Sequence, residues 1–329
     1  MTMKPFTLVQ PRSAAEASAC AAKPQSLLKA GGIDVLDRLK ERIDAPSDVV
    51  NLQPLRSELG QLLAAADGSL DVGALVTVAR LENDALFATP ALRAIQQAAA
   101  GTASPQVRNR ATVAGNLLQL ARCWYLRSAA FGCLHGKKGP ACLAMTGENR
   151  YHAVMGYQDC VRVHPSNLAP ALLALDAEFT TVRGDAVRRR RLVELFPAEP
   201  KALAEEHTLE PGEVVTAIHL ARQPEGSRSA YKESREKAAF DWSTTAAAVW
   251  VRMDGKVIRD ARIVLGAVAP VPLARPEAAQ LLVGKEPTDA LFLAVADAAY
   301  ADAAPLAQNQ YKVPVGKAVL REALHECTR

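Results

Sequence analysis

The sequence predicts an α+β protein with two domains. Over about the first two thirds of the chain, short apolar segments alternate with amphipathic helical segments. After residues 223–229, which contain Pro224 and Gly226, three strand-like segments are followed only by helical ones. We therefore expect an N-terminal domain over 1–224, divided into 1–56 and 57–224, and a C-terminal domain over 225–329.

Composition limits the classes of function. Hydrophobic residues make up 49% of the 329 residues, charged residues 22%, and the formal net charge is +4. These values are typical of a folded globular chain and do not favour a nucleic-acid partner. No apolar run approaches about 18 residues, so no membrane span is expected. The one dense basic run, Arg188 to Arg191, is interpreted as a solvated loop or a rim that faces a partner.

The first elements surround a pair of glycines. Ser13 with Glu16 forms a capping-box pattern that predicts a helix over 13–22. The segment SLLKAGGIDVLDRLKERI then predicts a strand, a turn at Gly31-Gly32 and a helix. Backbone N–H groups at such a helix N-terminus suit an anionic phosphate. Strands at 48–52 and 69–75 and helices from 77 and over 90–100 follow.

A second small-residue segment follows these elements. GTASPQVRNRATVAGN, residues 101–116, is punctuated by Gly, Ser and Pro and predicts an irregular loop. Its Thr112, Gly115 and Asn116 could contact a second part of a ligand. Two such loops about eighty residues apart indicate a ligand long enough to touch both, and favour a dinucleotide over a mononucleotide.

Four cysteines then fall within thirty-eight residues, in a Cys-rich insertion at 121–162. In a chain folded in reducing cytosol such a cluster favours metal ligation over disulfides. The spacing leaves a [4Fe–4S] cluster and tetrahedral zinc both open. His135 and His152 could replace a thiolate, but a solvated or core histidine is the preferred interpretation of each. The four cysteines are Cys123, Cys133, Cys142 and Cys160.

The remaining elements are regular. Ser166 can cap a helix that runs through Leu175, and strands are predicted at 178–182 and 214–220. Strands at 229–234, 244–253 and 257–268 follow, with Asp254-Gly255 as the hairpin turn between the last two. Helices over 276–282, 289–303 and 318–325 complete the C-terminal domain.

Three of these segments together resemble a known family. KAGGIDVL, QVRNRATVAGN and SAYKESR with the hairpin after it resemble, in order and separation, the FAD-binding subunit of molybdenum hydroxylases, the xanthine dehydrogenase family. The resemblance covers the whole chain. It implies a two-part FAD-binding domain and a C-terminal domain with a three-stranded antiparallel sheet and helices. The residues it implies for FAD contact are Leu28, Lys29, Ala30, Gly31, Gly32, Ile33, Asp34, Val35, Leu36, Thr102, Ala111, Thr112, Gly115, Asn116, Asn167, Val214 and Lys232.

The Cys-rich insertion narrows the resemblance. Its spacings, with YHAV and HPSNLAP nearby, are similar to the FAD subunit of Tat-exported periplasmic aldehyde oxidoreductases and less similar to that of 4-hydroxybenzoyl-CoA reductase. This implies that Cys123, Cys133, Cys142 and Cys160 ligate a [4Fe–4S] cluster. Two positions depart from the family pattern. Asn167 replaces an aspartate, which removes a local charge, and Ile33 replaces a small threonine.

The resemblance implies an electron-transfer subunit that binds FAD and a [4Fe–4S] cluster in a heterotrimeric molybdenum-dependent aldehyde oxidoreductase. Its partners would be a large subunit with the molybdenum cofactor, a small subunit with two [2Fe–2S] clusters, and an external electron acceptor. No catalytic residue for aldehyde oxidation is expected in this chain. The alternatives are a 4-hydroxybenzoyl-CoA reductase-like subunit and a zinc-stabilised non-redox binding protein. Because residues 1–17 show no apolar export signal, we expect a periplasmic location only through co-export with a signal-bearing partner, and a cytoplasmic one otherwise.

Overall fold

The N-terminal part of the chain forms a small parallel sheet. The computed structural model describes residues 3–136, 138–200, 206–237 and 241–329. Its first elements are β1 (Thr7–Val9), α1 (Ala14–Ala21), β2 (Ser26–Lys29), α2 (Ile33–Lys40) and β3 (Asp48–Asn51), and the sheet order is β1-β3-β2. Ser13 caps α1 as predicted, since its Oγ accepts from the Glu16 N–H at 3.1 Å. The Glu16 carboxylate accepts a hydrogen bond from the Arg12 N–H at 2.7 Å, whereas a capping box would use the N–H of Ser13 itself.

A five-stranded antiparallel sheet follows. Its strands run in the order β4-β5-β8-β6-β7. The predicted strands and helices of this part are present, and the segment 101–116, predicted as irregular, contains two short helices. In chain order the elements are α3 (Arg56–Leu59), β4 (Leu62–Ala64), β5 (Leu70–Gly73), α4 (Val78–Asn83), α5 (Arg93–Ala100), α6 (Pro105–Arg108), α7 (Val113–Leu117), α8 (Leu168–Ala174), β6 (Glu178–Arg183), β7 (Ala186–Arg191) and β8 (Val214–Leu220).

The basic run is a strand, so its interpretation as a loop was wrong. Residues 188–191 form part of the edge strand β7, and each arginine reaches an acidic side chain. Charges on an edge strand oppose pairing with another chain. The ion pairs are Arg188 with Glu210, Arg189 with Glu178, Arg190 with Glu213 and Arg191 with Asp176.

The C-terminal part is an antiparallel sheet with helices on both faces. The three predicted strands and the turn at Asp254-Gly255 are present, and a two-residue strand too short to show in the pattern extends one edge. Along β10, Ala246, Ala248 and Trp250 face the core of the N-terminal part, whereas Ala247 and Val249 face the C-terminal helices. Burial on both faces explains the nearly continuous apolar sequence. The elements are β9 (Ser227–Ser234), β10 (Thr245–Asp254), β11 (Val257–Gly266), β12 (Leu273–Ala274), α9 (Pro276–Gln280), α10 (Asp289–Ala299) and α11 (Lys312–Thr328).

Two further features complete the fold. Between α7 and α8, the described part of the Cys-rich insertion contains a single 3-10 turn, Leu143–Met145, as its regular structure. Among the described helices, none is both long and apolar enough to cross a bilayer.

Candidate functional site

A cavity of about 470 Å³ lies between the two small-residue loops. One wall comes from the end of β2 and the start of α2, and the facing wall comes from residues 101–119. The two loops that the sequence places about eighty residues apart are therefore brought together. The predicted FAD residues that line this cavity are Leu28, Ala30, Gly31, Gly32, Ile33, Asp34, Val35, Thr102, Ala111, Thr112, Gly115, Asn116, Asn167 and Val214.

The first loop depends on its two glycines for different reasons. A Cβ at Gly31 would clash with the backbone carbonyl of Arg110, because the two loops are in direct backbone contact there. Gly32 is the N-cap of α2 and has φ +86°, a conformation that side chains disfavour. No side chain caps α2, so its first-turn N–H groups have no intrahelical acceptor and face a lining of small residues. This is the geometry of an anion-binding turn.

The second loop is anchored to the segment that joins β5 to α4. The Val78 N–H donates to the Ala111 carbonyl, and the Val113 N–H donates to the Val76 carbonyl, both at 2.9 Å. Thr112 then caps α7, since its Oγ1 accepts from the Gly115 N–H at 3.1 Å. The cavity wall is thus held by backbone bonds and a cap.

Three predicted FAD residues lie outside the cavity lining. Lys29 Nζ donates to Asn51 Oδ1 at 3.1 Å, and Leu36 is partly exposed on α2. Lys232 is ion-paired with Glu326 of α11 at 2.5 Å. Because side chains alternate along β9, the face that carries Lys232 is turned away from the buried side chain of Tyr231, which packs in the N-terminal core.

Asp34 links the cavity to the Cys-rich insertion. Its carboxylate accepts from Arg127 at 2.7 Å, from Arg122 at 3.0 Å and from the Leu120 N–H at 3.0 Å. Burial opposes ionisation of this carboxyl, but the two arginines outweigh it, so that the pKa of Asp34 lies below its usual range. Arg122 also stacks on the Trp242 ring, 4.4 Å from its centroid, and both side chains line the cavity.

The thiols of the insertion lie in one neighbourhood. The Cys160 thiol hydrogen-bonds to Cys142, which lowers the pKa of Cys142 and raises that of Cys160. Burial, with smaller contributions from Cys133 and Cys142, raises the pKa of Cys123 to about 12. Among the described residues, no three His, Cys, Asp or Glu side chains are grouped so as to hold a metal ion.

The two histidines of the insertion hydrogen-bond to other side chains. His135 is hydrogen-bonded to Glu206 at 3.0 Å. His152 has its Nε2 3.1 Å from Cys123 Sγ, and burial, with the charge of Lys312, lowers the pKa of His152 to about 4. The neutral ring can therefore donate its single N–H to the sulfur.

Two buried charges tie the insertion to the rest of the chain. Glu206 accepts from the Ala121 N–H at 3.2 Å and from Arg162 at 3.3 Å. Burial raises the pKa of Glu206, but the hydrogen bond with His135 and the charge of Arg162 outweigh it and hold this pKa at about 2. Lys312 of α11 is fully buried and donates to the carbonyls of Tyr151, His152 and Ala267 at 3.2, 2.8 and 2.7 Å.

Comparison with known proteins decides the family. A model described as the FAD binding domain in molybdopterin dehydrogenase matches residues 4–222, and one described as the CO dehydrogenase flavoprotein C-terminal domain matches residues 229–327. The chain belongs to the FAD-binding subunits of the molybdenum hydroxylases. It is accordingly a flavoprotein subunit of an oxidoreductase, and the cavity between the small-residue loops is its candidate FAD site.

Curated relatives span the full length of this flavoprotein. It is 33% identical to the aldehyde oxidoreductase FAD-binding subunit PaoB of Escherichia coli strain K12, over 98% of each chain. It is 28% identical to the carbon monoxide dehydrogenase medium chain of Hydrogenophaga pseudoflava, over 97% of this chain and 96% of that one. The predicted family is confirmed.

Solved structures confirm the predicted fold. Carbon monoxide dehydrogenase from Hydrogenophaga pseudoflava superposes with a TM-score of 0.77 at 24% identity, covering 99% of this chain and 98% of that one. Quinoline 2-oxidoreductase from Pseudomonas putida 86 also gives 0.77, at 22% identity and with 100% and 98% covered. At these identities the likeness shows the fold of the flavoprotein alone.

Sequence reasoning missed the side chains that join the parts of this flavoprotein. Arg127, Glu206 and Lys312 lie in none of the segments that predicted the FAD site, and Glu233 lies in SAYKESR without having been singled out; each contacts residues far away in the chain. The closest sequence signal is the spacing of Asp34 and Asp37, three residues apart at the start of α2, where both can face one arginine.

Proposed function

We propose that this chain is the FAD- and [4Fe–4S]-binding electron-transfer subunit of a heterotrimeric molybdenum-dependent aldehyde oxidoreductase. The observation that carries the proposal is that ion pairs join the wall of the FAD cavity directly to the Cys-rich insertion. Asp34, in the wall of the FAD cavity, is held by Arg122 and Arg127, which flank Cys123 in the insertion. The identity of 33% with an aldehyde oxidoreductase FAD-binding subunit supports the choice of substrate class.

The cavity fits a flavin dinucleotide. Gly31 and Gly32 let the backbone come close to a ligand, and the uncapped start of α2 offers N–H donors to phosphate oxygens. Asn167 adds a polar side chain, and Leu28 and Val214 add apolar surface. Bound FAD supplies reversible electron transfer, and the chain's contribution is to bind it, orient it and limit its exposure to water.

The four cysteines of the insertion would be the ligands of the proposed cluster. Cys133 and Cys160 are buried, and Cys123 and Cys142 are half-buried. Because burial favours the neutral thiol of Cys123, deprotonation of this residue calls for a metal that competes with the proton. The His152 N–H next to Cys123 Sγ would stabilise the resulting thiolate.

Absorption spectroscopy of the purified chain tests the cofactors. A flavin band with a broad iron–sulfur shoulder is expected, together with four irons per chain. Cys133→Ser should lose the iron and keep most of the FAD, because Cys133 lies outside the cavity lining. A colourless chain with one zinc would contradict the proposal, and full iron content in Cys133→Ser would remove Cys133 from the ligand set.

Activity of the intact complex tests the reaction. We propose that a large molybdenum-cofactor subunit and a small subunit with two [2Fe–2S] clusters co-purify with this chain, and that electrons leave through its FAD to an external acceptor. The complex should oxidise aromatic aldehydes to acids. Reduction of aryl-CoA thioesters instead would assign it to the 4-hydroxybenzoyl-CoA reductase type.

The compartment follows from the partner subunits. We propose that the assembled enzyme is periplasmic if a partner carries a twin-arginine signal, and cytoplasmic if none does. Cell fractionation, with and without deletion of that signal from the partner, distinguishes the two locations.

A further inference from the structure

Asn167, in the wall of the FAD cavity, is hydrogen-bonded to a carboxylate on a neighbouring strand. Asn167 Nδ2 donates to Glu233 Oε2 at 2.7 Å. Glu233 lies on β9, sixty-six residues away in the chain, and does not line the FAD cavity, whereas Asn167 does. A carboxylate therefore lies directly behind the amide that faces the cavity.

The orientation of the amide follows from this contact. A carboxylate only accepts hydrogen bonds, so the nitrogen of Asn167 must face Glu233 and the oxygen must face the other way. Among the described residues, no donor reaches Asn167 Oδ1. Asn167 is also the N-cap residue of α8 but does not cap it, because Ser166 Oγ accepts from the Ala169 N–H at 2.9 Å instead. The Asn167 amide oxygen is thus available to a ligand in the cavity.

Glu233 is held firmly enough to orient its neighbour. Its carboxylate also accepts from the hydroxyls of Tyr231 and Ser243 and from Arg235. Arg235 in turn donates to the carbonyl of Gly101, which lines the cavity. A hydrogen bond to a charged acceptor is stronger than a neutral one, and it polarises the amide so that its oxygen becomes a better acceptor.

We propose that Glu233 is a positioning residue for FAD: it fixes Asn167 with the amide oxygen toward the cavity, where that oxygen accepts a hydrogen bond from a hydroxyl of the bound dinucleotide. This inference rests on the proposed function.

A charge swap between the two residues tests the inference. Glu233→Gln should weaken FAD binding by about tenfold, because the amide loses its charged anchor. Asn167→Asp should weaken it by more than about tenfold, because two carboxylates would then face each other across the 2.7 Å contact. In the double variant the new amide on β9 can donate to the new carboxylate in the cavity wall, so FAD affinity should return to within about threefold of the natural chain.

The measurement is the dissociation constant of FAD from the full-length chain, freed of flavin and retitrated, with the melting temperature of the FAD-free form recorded alongside. Glu277→Gln, on the exposed start of α9, is the matched control and should change neither value. Recovery of affinity in the double variant, with unchanged melting temperatures of the FAD-free forms, supports the inference.

Two results overturn it separately from the proposed function. They are an unchanged FAD affinity in Glu233→Gln, and a double variant that binds no better than Asn167→Asp. A natural chain that binds no FAD at any concentration would overturn the proposed function itself, and this inference with it.

Discussion

The FAD cavity and the Cys-rich insertion are built in opposite ways. The cavity is made by backbone: glycines that allow two loops to touch, a helix start without a side-chain cap, and main-chain bonds to the segment between β5 and α4. The described part of the insertion has one 3-10 turn and is held by buried ion pairs, aromatic contacts such as Trp124 on His152, and the ammonium of Lys312. A site made by backbone is complete before its ligand arrives, whereas one held by side chains depends on each contact.

The strongest test places the same kind of clash in each region. A Cβ at Gly31 would meet the carbonyl oxygen of Arg110, and a Cβ at Gly139 would meet that of Gly132. Gly31→Ala should lower the FAD content by at least about tenfold and keep the iron. Gly139→Ala should lower the iron content by at least about tenfold and keep the FAD. Such overpacking costs about 1–3 kcal/mol or more, and the neighbouring backbone cannot move aside cheaply. FAD and iron content per chain are measured in both.

Gly184→Ala is the control for this pair. Gly184 has φ +59° but no atom within 4 Å of an added Cβ, so it tests backbone strain without a clash. Both cofactors should remain. Loss of both cofactors in Gly31→Ala and in Gly139→Ala would show that the two regions are one unit.

Removal of the charge of Glu206 should loosen the insertion selectively. Glu206→Gln leaves Arg162, which is 1% exposed, without the carboxylate charge that faces it. We expect the free energy of unfolding to fall by about 3 kcal/mol, the lower end of the range for breaking a buried ion pair. Hydrogen exchange should rise in residues 121–162 and not in the cavity loops. Equal exchange in both regions would contradict a separate construction.

The same carboxylate gives a pH dependence with a defined sign. The pKa of Glu206 is about 2 in the folded chain, against an ordinary value of 4.5 for a glutamate side chain in water. The stability it contributes is therefore present above about pH 4.5 and is lost as the pH falls toward 2. The difference in unfolding free energy between the natural chain and Glu206→Gln should be full at about pH 7 and smaller at about pH 3.5. Urea titrations at the two values measure it, and a difference that grows in acid would reverse the sign.

A smaller effect on stability is expected from removal of the buried Lys312 ammonium, which contacts the insertion. Lys312→Met would leave the carbonyls of Tyr151, His152 and Ala267 without their buried donor. The expected cost is about 1–3 kcal/mol, with faster proteolysis near residue 151 and unchanged FAD content. Lys317→Met, which removes an exposed ion pair of the same helix, is the control. If both variants are cut at the natural rate, Lys312 does not hold the insertion.

The smallest effect is expected at Lys232. Its partner Glu326 is partly exposed, and surface ion pairs contribute about 0–1 kcal/mol. Lys232→Met should change FAD affinity by less than about twofold. A larger loss in FAD titration would return Lys232 to the FAD contacts that the family resemblance implies.

The sequence predicted what depends on local pattern. The strands from 214 to 268, the Gly31-Gly32 turn and the cap at Ser13 all follow from residues near one another in the chain. It did not predict which side chains of β9 face the N-terminal core and which face α11. Tyr231 is buried toward the N-terminal core, so Glu233 shares its face and Lys232 points to α11. That choice depends on tertiary packing, because alternation along a strand is the same in either register.

Contacts between distant residues were also beyond the pattern. Asp34 was expected in the cavity and lines it, but its side chain is engaged by Arg122 and Arg127, about ninety residues later. Likewise the departure at Asn167 suggested a lost charge until the position of Glu233 was known. Neither arginine nor glutamate stands out in composition, since such residues are ordinary on any surface.

The clamp beneath the insertion has a consequence for biosynthesis. Asn309 bonds the carbonyls of His152 and Ala153, and Lys312 bonds those of Tyr151 and His152, so the middle of the chain is fastened by residues near its end. While the ribosome has not yet translated these residues, the insertion can contact Asp34 and Glu206, but the carbonyls of residues 151–153 lack these donors. The insertion therefore reaches its final contacts only late in the life of the nascent chain, when the polypeptide is nearly finished.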